Sequence, residues 1–194
     1  MVILGHCTVP DYIVNTIYLF HMPLFFMISG YLDNANNTTS FKNLVARKTT
    51  SLLWIYFIYG VIVILWKTCV CWGEKGNLTF LMWKRVIALL YGNYIWENNF
   101  DYIGTLWFLI CLFGVGCISF FLYRIKNDKL RILITVLIVW FGGILCKCLI
   151  QWGIRLPWCL DVALVAIFCY EVGLHFKKWR KYSFFGEQFC RESV

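Results

Sequence analysis

Two histidines in apolar sequence near the start of the chain are the first candidates for chemistry. His6 and His21 flank a short turn at Pro10 and Asp11. A neutral imidazole takes up a proton near neutral pH, so a histidine can act as a general base on a hydroxyl group. A polar side chain within a membrane helix indicates a functional role. The structural alternative is that each histidine only forms a hydrogen bond to a neighbouring helix.

The spacing of the two histidines limits how they could cooperate. In a simple helical hairpin their rings would differ in depth by roughly 8–9 Å, at about 1.5 Å of rise per residue. We therefore expect no direct hydrogen bond between His6 and His21. A substrate could lie between them, or a helix broken at Pro23 could bring them closer.

The composition places these residues in a membrane. The chain has 194 residues, of which 61% are hydrophobic and 14% charged, whereas soluble domains have about 45–50% apolar and about 25% charged residues. The same values exclude a disordered chain. Five apolar runs are long enough, or nearly so, to cross a bilayer as helices, and residues 1–9 resemble the end of another. These runs are 12–32, 52–72, 103–123, 132–152 and 156–174. We predict an all-α polytopic membrane bundle with five full spans and a partial first span.

Three basic clusters predict the orientation of these spans. Their members are Lys42, Arg47 and Lys48, then Arg124, Lys126, Lys129 and Arg131, then Lys177, Lys178, Arg180 and Lys181. The positive-inside rule places all three on the cytoplasmic side, so an even number of crossings separates successive clusters. Residues 78–96, which contain Lys84 and Arg85, are therefore predicted to form an interfacial or re-entrant helix on the outer face. The same rule accounts for the net charge of +8 without a nucleic-acid partner.

The ten cysteines do not predict a metal centre. Most lie singly in apolar runs, where a thiol behaves as a small hydrophobic group. The C-x-C pairs at Cys69 and Cys146, together with three histidines, lack the ligand spacing of a zinc site. We predict no bound metal and no resident cofactor.

The run around His21 carries a resemblance to a known family. Gly5-His6, followed by the sequence FHMPLFFMISGY at residues 20–31, resembles the signature of the membrane-bound acyltransferase-3 family. These O-acyltransferases modify bacterial sugars and polysaccharides. Arg47-Lys48, the LWFL sequence at 106–109 and the LPW…LD pattern at 156–161 are similar to further landmarks, the last typical of its fucose 4-O-acetylase-like branch.

The resemblance also implies a domain organisation. Members of the family are similar in having about ten membrane helices, so residues 1–181 are expected to be the N-terminal part of such a domain, truncated at both ends. Residues 182–194 are expected to be a polar tail outside the family sequence.

The resemblance implies transfer of an acyl group, in particular acetyl, from acetyl-CoA to a hydroxyl of a sugar or lipid-linked glycan in the bacterial inner membrane. His6 would act as the base. His21 would orient the acceptor or donate a hydrogen bond to the developing oxyanion, and Ser29 would support either role.

Binding of the two substrates is expected to involve four further residues. Arg47 and Lys48 would bind the phosphates of the donor, although membrane topology alone also explains their position. Phe25 and Trp107 would line the substrate cavity, and an interfacial aromatic belt is the alternative for Trp107.

Two other functions remain open for the same residues. Intramembrane histidines, with Asp161 and Glu171, could relay protons in a transporter or export component that performs no chemistry. An inactive fragment of an acyltransferase is the second alternative.

Overall fold

A computed structural model describes residues 11–33, 40–70, 78–92 and 106–192, and the described ranges contain seven α-helices and no strand. The helices are α1 (Asp11–Leu32), α2 (Phe41–Lys48), α3 (Trp54–Val70), α4 (Leu78–Tyr91), α5 (Trp107–Tyr123), α6 (Asp128–Gln151) and α7 (Leu160–Glu192). A π-helical turn, Thr49–Leu53, joins α2 to α3, and a 3₁₀ turn, Pro157–Cys159, precedes α7. The predicted all-α class is confirmed.

Several of these helices are long and apolar enough to cross a bilayer. By length and composition, three stretches qualify, namely Phe41–Val70, Asp128–Gln151 and Pro157–Arg180, and Leu19–Leu32 and Trp107–Tyr123 are shorter apolar helices. The described residues therefore contain several candidate membrane-spanning helices. The number of spans stays a prediction, and the partial first span lies outside the described residues.

The described residues fall into two compact units. The first unit consists of α1 and of α7 from Ala166 onward. The second contains α2 to α6 and the start of α7, through Val165.

Two glycines bring α1 and α7 into backbone contact in the first unit. A Cβ atom on Gly30 would collide with the carbonyl group of Tyr170, and one on Gly173 would collide with the carbonyl of Met27 and lie 2.9 Å from the amide nitrogen of Tyr31. Lipid tails are as apolar as leucine, so close packing of this kind drives the association of membrane helices. Gly30 and Gly173 therefore allow an approach that no other residue would permit.

Polar contacts hold the C-terminal end of α1 against the basic segment of α7. The Tyr170 hydroxyl donates to the Asp33 carboxylate, and Lys177 Nζ donates to the Asp33 carbonyl at 2.8 Å. Arg180 donates to the hydroxyl of Tyr31. The end of α1 and the third basic cluster thus lie on the same side of this unit, in agreement with the predicted topology.

In the second unit, α5 runs antiparallel to α2 and α3. The Phe41 ring lies 5.4 Å from that of Phe120, and Ile110 packs with Tyr56 in a core cluster. The Arg131 guanidinium lies 5.1 Å from the ring of Tyr123. The first and second basic clusters therefore lie at one end of this unit, as an even number of crossings requires.

Helix α4 packs antiparallel to α3, and its last turn lies beside the middle of the Phe41–Val70 stretch. The Tyr56 hydroxyl donates to the Leu89 carbonyl at 2.9 Å, and Arg85 Nη1 donates to the Thr68 hydroxyl at 3.3 Å. The 14 residues of α4 rise about 21 Å, too little for a hydrocarbon core of about 30 Å. Because Tyr56 lies in the middle of Phe41–Val70, the packing favours a re-entrant helix over an interfacial one.

The end of α4 therefore requires donors for its last carbonyl groups, which have no partners within the helix. Besides Tyr56, the Trp158 Nε1–H donates to the Leu90 carbonyl at 3.0 Å, and the Cys159 thiol donates to that of Gly92 at 3.3 Å. Side chains from α3 and from the turn before α7 thus cap the end of α4.

Replacement of Gly173 by alanine is predicted to weaken the first unit, because the added methyl group would collide with the backbone of α1. Overpacking of this kind costs about 1–3 kcal/mol. Gly143→Ala in α6 is the matched control, since a Cβ there meets nothing within 4 Å. The measurement is the melting temperature of the detergent-solubilised chain. Equal melting temperatures for the two variants would contradict the backbone contact.

Candidate functional site

Helix α1 places three of the predicted site residues along one face. His21, Phe25 and Ser29 follow each other at intervals of four residues, so they lie on neighbouring turns. The His21 and Phe25 rings meet edge to face, with centroids 4.6 Å apart. His21 and Ser29 are half-buried, and Phe25 is exposed. The face therefore offers an imidazole supported by an aromatic ring, with a hydroxyl about 12 Å along the axis.

Two other residues of the FHMPLFFMISGY run contact α7. Gly30 contacts the backbone of α7, and Tyr31 accepts a hydrogen bond from Arg180.

Pro23 lies inside α1, which is helical from Asp11 to Leu32, so the suggested break at Pro23 is not observed. His6 lies outside the described residues, and its role and depth relative to His21 stay predictions.

Lys48 and Arg47, adjacent in sequence, lie in different environments. Arg47 is exposed, whereas Lys48 is only 9% exposed at the end of α2. Its side chain passes over Gly116 of α5, where a Cβ atom would lie 2.6–2.7 Å from Cε, Cδ and Nζ of the lysine. Gly116 thus forms a slot for a buried cation. Arg47 instead remains at the surface, where a cation at an inner helix end is expected from topology alone.

Trp107 begins α5 and is half-buried, with its ring edge to face with that of Phe108 at 6.4 Å. Since Lys48 contacts Gly116, Trp107 and Lys48 are separated by about 13 Å along α5. The structure does not bring Trp107 and Lys48 together, and the cavity-lining role of Trp107 stays a prediction.

An ion pair in the turn before α7 was missed by sequence reasoning. Arg155 Nη1 lies 3.0 Å from Asp161 Oδ2, and the two side chains are 40% and 1% exposed. The Cys146 thiol lies 4.0 Å from the same carboxylate oxygen. The sequence places Asp161 in the first turn of its helix, where a negative charge is favoured. The signal that could have identified its partner is a cation six residues earlier, on the other side of Pro157.

Helix α4 contributes a second buried cation. Arg85 is 5% exposed and donates to Thr68, which is buried and itself donates to the Ile64 carbonyl at 2.7 Å. The neighbouring Lys84 is exposed. On α4, as on α2, one of two adjacent basic residues is therefore buried and the other exposed. The number of charges in the sequence does not show this difference.

Glu171 and His175 lie four residues apart in α7. His175 Nδ1 lies 3.0 Å from the Glu171 backbone carbonyl, so the i, i+4 contact involves the main chain. In the part of the chain that the structure describes, no group of three or more histidine, cysteine, aspartate or glutamate residues could hold a metal ion.

Comparison with known proteins identifies one family and one curated relative. The acyltransferase-3 family, described as an acyltransferase domain, matches residues 1–187. The nodulation protein NolL of Mesorhizobium japonicum is 32% identical over 124 residues, which are 63% of this chain and 28% of that protein. The alignment thus spans less than a third of the relative. No solved structure matches the chain.

The Arg155–Asp161 pair predicts an asymmetric response to mutation. Arg155→Gln is expected to destabilise the protein by about 3 kcal/mol, because the carboxylate would stay buried without its cation. Asp161→Asn is expected to cost less, since the partly exposed Arg155 can turn towards a polar environment. The double variant is expected to recover part of the loss.

The stabilities of the purified chain and its three variants are measured by thermal melting in detergent. A double-mutant cycle then gives the coupling free energy between the two residues. Additive effects of the two substitutions would show that the pair does not interact.

Proposed function

Because the chain belongs to the acyltransferase-3 family, we propose that this membrane acyltransferase moves an acetyl group from acetyl-CoA to a hydroxyl of a sugar or cell-surface glycan. The donor is a cytoplasmic metabolite, and the basic ends of the helices are predicted to face the cytoplasm. We accordingly place the protein in the inner membrane of a bacterium, with the lipid bilayer and a carbohydrate acceptor as its partners.

The reaction exchanges a thioester for an ester. The acceptor hydroxyl oxygen attacks the acetyl carbonyl carbon while a base removes its proton, and the C–S bond then breaks. The coenzyme A thiolate leaves and is protonated. We assign the base to His6. We assign to His21 the orientation of the acceptor or a hydrogen bond to the oxyanion, with Ser29 in support.

One feature of α1 supports this chemistry most directly. The imidazole of His21 is half-buried and lies against the ring of Phe25, on the face that also carries Ser29. Contact with an aromatic ring restrains the imidazole, and a restrained donor stabilises a developing charge without reorganisation. Phe25 is exposed enough to contact a substrate as well, in line with its assignment to the cavity.

Lys48 is the stronger of the two candidates for donor binding. An ammonium group buried beside Gly116 binds an anion more strongly than an exposed one, because water competes less. Arg47, exposed at the same helix end, would add a second contact with the phosphates of coenzyme A. Trp107 is retained as a cavity residue.

His21→Ala is predicted to lower acetyl transfer by about a hundredfold, the loss expected for an oxyanion donor. The assay incubates membranes containing the full chain with radiolabelled acetyl-CoA and measures label in the glycan fraction. His175→Ala is the matched control, since this third histidine lies in another helix, α7, and has no assigned role. Unchanged transfer by His21→Ala at equal membrane abundance would remove His21 from the mechanism.

The same assay separates transfer from transport. A transporter would accumulate label in sealed vesicles without attaching it covalently to a glycan. Absence of any labelled glycan in the wild type, with the chain present in the membrane, would overturn acyl transfer by this polypeptide.

Lys48→Gln is predicted to raise the KM for acetyl-CoA by about tenfold or more, since a hydrogen bond to a charged group contributes roughly 1.5–3 kcal/mol. The kcat should change little. Lys42→Gln, at an exposed position of the same helix, should leave both constants unchanged. Equal effects of the two substitutions would indicate a general influence of surface charge.

A further inference from the structure

The turn between α6 and α7 has a backbone conformation that ordinary side chains avoid. Trp158 has φ 60° and ψ 25°, and Cys159 has φ 50°. A bulky residue in the left-handed region is strained, and such strain persists where the surroundings impose it, often at functional sites. Here the surroundings are the last carbonyls of α4, which accept from the side chains of both residues.

The turn positions a carboxylate whose hydrogen bonding is incomplete. Asp161 is 1% exposed, and its Oδ2 atom interacts with Arg155. Its Oδ1 atom is also buried, and no described residue donates a hydrogen bond to it. A buried acceptor without a donor lowers the stability of the protein by about 1–3 kcal/mol. A ligand that donates a hydrogen bond to Oδ1 would remove this cost.

The charges around Oδ1 restrict what that partner can be. An ionised carboxylate only accepts hydrogen bonds, so the partner must be a donor. Arg155 already neutralises Asp161, and a cation at Oδ1 would lie close to the guanidinium. An anion would be repelled by the carboxylate itself. A neutral hydroxyl group satisfies Oδ1 without adding charge to an apolar segment.

The turn lies at the end of the second unit where the acceptor, rather than the donor, is expected to bind. Helix α6 starts in the second basic cluster and ends at Gln151, so the turn lies at the end of the second unit opposite to its basic residues. Lys48, assigned to the donor, lies towards the basic end, near Gly116. A glycan outside the cytoplasm would therefore meet the turn first.

We propose that Asp161 and Arg155 form a binding site for neighbouring hydroxyl groups of a neutral sugar. Asp161 Oδ1 accepts from one hydroxyl, and the remaining N–H groups of Arg155 donate to the next. Arg155 is the more exposed member of the pair. The assignment of this sugar as the acceptor rests on the proposed acyl transfer, whereas the binding site itself does not require catalysis.

The test measures binding in the absence of acetyl-CoA. Saturation-transfer NMR on the purified full chain in detergent would use methyl glycosides of neutral hexoses and deoxyhexoses as probes, including methyl fucoside. Their permethylated forms retain the ring but cannot donate a hydrogen bond. We expect at least one methyl glycoside to bind, its permethylated form to bind at least tenfold more weakly, and Asp161→Asn to weaken binding of the free glycoside at least tenfold.

Asp128→Asn is the matched control, because Asp128 also lies in the first turn of a helix of the same unit but is exposed. It should bind the probe like the wild type. Melting curves show whether Asp161→Asn is folded, and Asp161→Glu, which keeps the carboxylate, should retain more binding than Asp161→Asn.

Three results would overturn the site. These are binding of none of the glycosides, equal binding by Asp161→Asn and the wild type, and equal loss in Asp161→Asn and Asp128→Asn. Asp161-dependent binding without acetyl transfer would support the site and count against the proposed reaction. If transfer occurs, Asp161→Asn should raise the KM for the acceptor and leave that for acetyl-CoA unchanged.

Discussion

Within a bilayer, backbone carbonyl groups must find donors in the protein itself, and the end of α4 is where this constraint shapes the second unit. The last carbonyl groups of a helix have no partners within the helix, and a bilayer supplies none. The hydroxyl of Tyr56, the indole of Trp158 and the thiol of Cys159 supply the donors. To reach α4, the turn before α7 adopts its strained conformation, and the same turn brings Arg155 to Asp161. The candidate sugar site is thus connected to the capping of a half-helix.

Glycines set the distances between the remaining helices. Gly30 and Gly173 allow α1 and α7 to touch through their backbones, while Gly116 leaves space for the side chain of Lys48. The two uses differ physically. Backbone contact contributes dispersion and fixes the helix crossing, whereas the slot at Gly116 accommodates a buried charge. Glycine therefore contributes both to packing and to the candidate donor site.

Parts of the candidate site were predictable because they depend on spacing within one helix. His21, Phe25 and Ser29 repeat at four-residue intervals, and their common face follows from the geometry of α1 alone. Lys48 and Arg47 show the opposite case, since adjacent side chains point about 100° apart on a helix. Only the position of Gly116 on α5 determines which of them is buried. The Arg155–Asp161 pair likewise depends on how the chain turns at Pro157.

The sequence by itself determined the helical membrane class and the common side of the first two basic clusters, because hydrophobicity and charge act locally along the chain. It left open whether α4 lies at the interface or enters the bundle. The tertiary structure packs α4 along α3, and it decided the burial of Lys48, Arg85 and Asp161. Lipid and protein interior are similarly apolar, so the pattern of hydrophobic residues cannot distinguish a face that packs from one that meets lipid. Contacts between helices are needed to make that distinction.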